Sequence, residues 1–123
     1  MDLTVPNILG RYLWESGQDR RLLYELVKSK NLWKRRIAIL ATFYFLKNKD
    51  FKDTLKIAEI LLQDREDLIH KATGWMLREM GKRELSALLK FLDKYASVMP
   101  RTMLRYSIEK LPREKQLYYM KKK

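Results

Sequence analysis

Three long helical stretches begin near residues 31, 66 and 100, a recurrence of about 34 to 35 residues. A helix pair repeated at this period is the mark of an α-solenoid, in which each repeat buries its apolar face against its neighbours. The chain reads as helix almost throughout, because its four Gly and three Pro fall mostly at boundaries and no stretch alternates as a strand would. Ser16 with Asp19 reads as an N-cap followed by an acid, and Asn31, Asp50 and Asp64 as later caps. Pro100 and Pro112 suit first-turn positions. About eight helices follow, at 5–15, 18–29, 31–48, 51–63, 66–80, 83–95, 100–111 and 112–120.

In a solenoid, equivalent positions stack into a ladder along one surface. Superposing the long helices aligns Arg36, Lys71 and Arg105, each followed two positions later by a small residue, Ala38, Thr73 or Ser107. One step further back lands on Asp2. The ladder therefore reads as one acid and then three cations.

The stretch "HKATGWMLRE", residues 70–79, carries a glycine inside a helix, where Gly costs about 1 kcal/mol against Ala. At about 100° per residue, Lys71, Gly74, Trp75 and Arg78 share one side, while Ile69, Ala72, Met76 and Met80 share another. One reading has Gly74 opening the backbone to a ligand, with Lys71 and Arg78 on phosphates and Trp75 against a sugar or base. The alternative is that Gly74 admits a neighbouring helix and Trp75 is core. Trp14 and Trp33 read as structural, and His70 as a solvated helix residue. Tyr118 and Tyr119 read as covering the last apolar face.

Charge narrows the partners. Lys and Arg number 27 against 15 acids, a formal +12, which predicts affinity for polyanions, nucleic acid first and an anionic membrane surface second. From Met99 to Lys123 there are eight basic residues and two acidic ones, Glu109 and Glu114, with Lys121, Lys122 and Lys123 as a solvated tail. There is no Cys and one His, which removes disulfides, thiolate chemistry and the usual zinc sites. The longest apolar run, Ile37 to Leu46, is too short to span a bilayer, and the first residues do not resemble a signal peptide. A soluble intracellular protein without cofactor or metal is the expectation.

The stretches "DLTVPNILG", "NLWKRRIAIL" and "HKATGWMLRE" together resemble the AlkD-like DNA alkylation repair family, DNA glycosylases that remove N3- and N7-alkylated purines. The motifs occur in the family's order with nearly its separations, and the resemblance covers essentially the whole chain. It implies a right-handed α-solenoid of HEAT-like repeats, forming a single domain over 1–123. It also implies that this domain corresponds to the C-terminal half or so of the usual family protein, without the N-terminal repeats. By resemblance, Asp2 is the family's catalytic acid, Arg36 its arginine and Trp75 its second tryptophan. The family's first tryptophan, four residues before the acid, has no counterpart.

The implied partner is double-stranded DNA containing alkylated purines, in the cytoplasm at the nucleoid, with the N-glycosidic bond hydrolysed. Arg35, Lys71, Arg78, Arg101 and Arg105 are the expected DNA-binding residues, with Arg35 the alternative to Arg36 if the register slips. From the residues alone, Asp2 is equally an N-terminal acid or helix cap, and Arg36 an ion-pair partner of Glu79. A non-catalytic DNA-binding module and a protein-interaction scaffold are the rival functions. An apolar N-terminal end (Met1, Leu3, Val5, Ile8) is expected to be covered by self-association or by a separately encoded partner half.

Overall fold

A computed structural model describes residues 4–17 and 20–121. Among them are eight helices and no strand: α1 (Thr4–Ser16), α2 (Arg21–Val27), α3 (Leu32–Lys47), α4 (Lys52–Leu61), α5 (Asp67–Arg83), α6 (Leu85–Tyr95), α7 (Arg101–Ser107) and α8 (Arg113–Met120). The starts of α3, α5 and α7 are 35 and 34 residues apart, as the sequence period requires. Helices α1, α3, α5 and α7 pack each on the next to form one layer. Of the others, α2 lies on α3 and α4, α4 on α3 and α5, α6 on α5, and α8 on α7. Ala38, Thr73 and Ser107, the small residues that recur at the period, are all buried.

The start of α3 is fixed locally. The Asn31 side chain accepts from the backbone N–H of Trp33 at 2.8 Å and of Lys34 at 3.4 Å, satisfying two otherwise orphaned donors. Asn31→Ala is expected to lower stability by about 1 kcal/mol. Urea unfolding would read this as an earlier midpoint at constant slope, and an unmoved midpoint would contradict it. Asp50 accepts from the Lys52 N–H at 3.3 Å, while Phe51 holds the cap position of α4.

Several boundaries differ from the sequence expectation. Ser16 ends α1 instead of starting α2, because Gly17 follows with φ +67, the left-handed conformation that stops a helix. Asp19, its expected capping partner, lies outside the described residues. Helix α5 runs three residues past the expected end. Gly81 stays helical there, since a Cβ at that position would meet the Leu88 side chain of α6. Helix α7 is shorter than expected, ending at Ser107, and the chain turns before Pro112 opens α8.

Arg20 ties the first two helices to the next pair. It is ion-paired to Asp50 at 2.9 Å and to Asp53, and its guanidinium lies 4.1 Å from the Phe45 ring and 5.5 Å from the Trp14 ring. Tyr24 donates to Asp53 at 2.7 Å, and burial with this bond to a carboxylate pushes its phenol pKa up. Trp14 is therefore structural, as expected. Tyr119 is buried and donates to Asp93 at 2.8 Å, whereas Tyr118 is exposed. At the other end, Val5, Ile8 and Tyr12 stay exposed on α1. Met1 and Leu3 of the expected apolar end lie outside the described residues.

Candidate nucleic-acid interface

Helical spacing separates the two arginines of "KRR" around α3, although both side chains are half-buried. On α3 the fully buried Ala38, Ile39, Thr42, Phe45 and Leu46 cluster on one side, while Leu40 and Ala41 are buried elsewhere around the helix. At about 100° per residue, Arg35 falls on that side, while Trp33, Arg36 and Lys47 fall opposite. Arg35 is held accordingly. Its Nε donates to Asp64 at 2.7 Å and its Nη1 to the Ser29 carbonyl at 3.0 Å, with the two ion-paired side chains 15% and 7% exposed. Asp64 also accepts from the Glu66 N–H at 2.9 Å, so it shapes the turn into α5 while Glu66 takes the cap position. His70 completes the knot. Its Nε2 lies 2.5 Å from the Asp64 carbonyl, which can only accept. Contrary to expectation, then, Arg35 fastens α3 to the α4–α5 turn, and His70 is part of that fastening.

Arg36 is placed differently. Among the described residues no carboxylate pairs with it, and its Nε–H is buried without an acceptor. Its guanidinium instead lies over the Trp33 ring, 5.6 Å from the centroid. Trp33 is 56% exposed, so the structural role expected for it is wrong. The sequence did carry a signal: Trp33 and Arg36 are three residues apart, one turn of helix, so their side chains are neighbours.

Helix α5 presents Lys71, Trp75, Arg78 and Lys82 on the side away from its buried residues. Gly74 corrects the ligand reading, because the patch of bare backbone is already covered. A Cβ there would lie 2.6 Å from both the Met103 carbonyl and the Tyr106 Cβ of α7. Trp75 is half-buried, with part of its surface against the core.

Lys71 pairs with Asp67 at 3.2 Å one turn earlier, and Arg78 pairs with Glu109 beyond α7 at 2.6 Å. The partners of Glu79 are Lys82 at 3.0 Å, Arg83 at 3.4 Å and Arg78 at 3.9 Å, all on its own helix. Arg36 is not among them. Burial pushes the Glu79 carboxyl up, but Lys82 and Arg83 outweigh it and hold the group below its ordinary range.

On α7, Arg101 donates to the Met120 carbonyl at 2.9 Å and so pins the end of α8. Arg105 is exposed and has no carboxylate partner among the described residues. It lines an open groove with Glu109, Arg113, Ile108 and Leu117. The expected cations therefore divide into two groups. Arg36 and Arg105 have no carboxylate partner among the described residues, whereas Arg35, Lys71, Arg78 and Arg101 each have a protein partner, largely buried for Arg35 and at the surface for Lys71, Arg78 and Arg101. Phe43, unremarked in the sequence, sits between Lys47 at 5.0 Å and Arg83 at 5.5 Å, joining α3 to the end of α5.

The layer thus brings Arg36 and Trp75 onto adjacent helices, with Arg105 one helix further on. Asp2 lies outside the described residues. No helix among the described residues is long and apolar enough to cross a membrane. None of the curated proteins compared with the chain matches it. The model of one protein family, described as DNA alkylation repair enzyme, matches residues 1–111. A match of that extent, nine-tenths of a chain whose long helices recur at the observed period, shows that the protein belongs to the DNA alkylation repair enzyme family.

Proposed function

We propose that the protein is a DNA glycosylase that excises N3- or N7-alkylated purines from duplex DNA, with its helix pairs acting as HEAT-like repeats. The observation that carries this reading is Arg36: a half-buried arginine, unpaired with any described carboxylate and beside an exposed indole. A cation left uncompensated suits a phosphate, and a planar fork suits bidentate contact with it.

Alkylation at N3 or N7 makes the purine a cation and hence a good leaving group. As the C1′–N bond breaks, its electron pair neutralises the departing base and positive charge develops on the sugar. Water then bonds to C1′ and gives up its proton. Asp2 is the residue assigned to stabilise the sugar cation and to orient that water. Trp75 packs against the deoxyribose or backbone, where its π-face favours positive charge by about 0.5–2 kcal/mol. Arg36 and Arg105 grip phosphates without reading sequence.

The test is release of 7-methylguanine from methylated duplex DNA. Release above the spontaneous rate is expected. Salt-sensitive duplex binding without release would replace the reading with a non-catalytic DNA-binding module. Binding that ignores salt would point to a protein scaffold, since phosphate contacts weaken log-linearly with added salt.

The exposed Val5, Ile8 and Tyr12 favour a second contact, self-association through α1. Light scattering would read it as a dimer mass, and a monomer at high concentration would remove it. The duplex substrate puts the site of action at the cytoplasmic nucleoid.

A further inference from the structure

Several arginines of this fold are held by carboxylates: Arg20 by Asp50 and Asp53, Arg35 by Asp64, Arg78 by Glu109 and Arg83 by Glu79. Each carboxylate orients its arginine but also neutralises it and occupies its N–H donors. Arg36 has an aromatic ring in that place. A π-face attracts a guanidinium without cancelling its charge, and it leaves the in-plane N–H groups available to a ligand.

From this we infer that Trp33 is a positioning residue that holds the Arg36 guanidinium ready for a DNA phosphate; the inference rests on the duplex-binding reading above. Three further observations support it. Trp33 is 56% exposed, an unusual placement for a side chain that could bury about 150–250 Å². Its backbone is anchored in the first turn by the Asn31 cap, at 2.8 Å, so the ring stands on a fixed support. The Arg36 Nε–H has no acceptor among the described residues, so there no hydrogen bond from Nε competes with the ring in setting the orientation of the group.

The test is a double-mutant cycle with Trp33→Ala and Arg36→Ala, plus Trp33→Phe as the conservative variant. Duplex affinity is read at several salt concentrations and thermal unfolding is followed alongside. Trp33→Ala is expected to weaken binding about threefold, to make the salt dependence shallower as Arg36→Ala does, and to leave the unfolding temperature unchanged. Trp33→Phe restores most of the affinity. In the Arg36→Ala background, Trp33→Ala has no further effect.

Additive losses, or a Trp33→Ala variant that binds like the parent, would overturn the inference. The Arg36 Nε–H resonance gives a DNA-free readout, with an upfield ring-current shift expected in the parent and lost in Trp33→Ala. A resonance unshifted in the parent would sink the contact itself. If the shift is present but the parent does not bind duplex, the proposed function fails and the role of Trp33 fails with it.

Discussion

Asp64→Ala is expected to destabilise the protein by about 3 kcal/mol while leaving its exposed cations in place. Removing one partner of a buried ion pair strands the other charge, which costs about 3–5 kcal/mol, and the part-exposed tip of Arg35 puts this case at the lower end. The loss is compounded because the same carboxylate holds the Glu66 N–H, whose bond shapes the entry to α5. Arg35→Ala is expected to act in the same direction, through the same contact. Arg36→Ala is the informative contrast. It removes no ion pair among the described residues, so it should cost only the packing of a half-buried stem, about 1 kcal/mol or less, while the salt dependence of duplex binding becomes shallower by about one unit of slope. Urea unfolding of the three variants separates these effects. Equal destabilisation by Arg35→Ala and Arg36→Ala would refute the division of the two arginines between an ion-paired position and one without a described carboxylate partner.

Gly74→Ala should destabilise the protein, although helix propensity alone favours it by about 1 kcal/mol. The added methyl would lie 2.6 Å from the Met103 carbonyl and from the Tyr106 Cβ. Neither is the far end of a flexible side chain, so α7 must move as a unit. Overpacking of this kind costs about 1–3 kcal/mol, and a net loss of about 1–2 kcal/mol is expected. Gly74→Val should lose more, because it adds two γ-methyl carbons to a Cβ that is already too close to α7. Gly81→Ala is the milder comparison, since the nearest atom to its Cβ would be the Leu88 Cδ2, which can rotate away, with the Leu88 Cβ next at 3.2 Å. Thermal unfolding decides the matter: a Gly74→Ala protein more stable than the parent would mean that α7 does not press on that backbone.

The fate of Gly74 illustrates what the sequence could and could not express. The period of the long helices was legible because it depends on local signals: breakers, caps and apolar spacing. Asn31 behaves as its residue type and position imply. The cost of a glycine inside a helix was also legible. What offsets it was not, because the offset comes from Met103 and Tyr106, roughly thirty residues later in the chain. The same limit applies to the cations. Charge and spacing put Lys71, Arg78 and Arg101 on the surface side, but their partners Asp67, Glu109 and the Met120 carbonyl are set by packing. Ser16 was misread because its oxygen suits a cap, while the neighbouring Gly17 was the stronger signal, a left-handed stop. Trp33 was misread for a different reason. Tryptophan is usually core, but this one lies in the first turn of α3 and stays exposed, whereas Leu40, two turns on at a similar phase, is buried.

The most direct measurement is the rate of 7-methylguanine release from methylated duplex DNA by the parent, Asp2→Asn and Arg36→Ala proteins, with binding and unfolding recorded for each. The account predicts release by the parent and a fall of at least about tenfold in Asp2→Asn at unchanged duplex affinity, the signature of a group that acts on the transition state. It predicts that Arg36→Ala loses release and affinity together. Release by the parent that survives Asp2→Asn undiminished would contradict the assignment of the acid, and no release by a parent that binds duplex DNA would contradict the glycosylase itself.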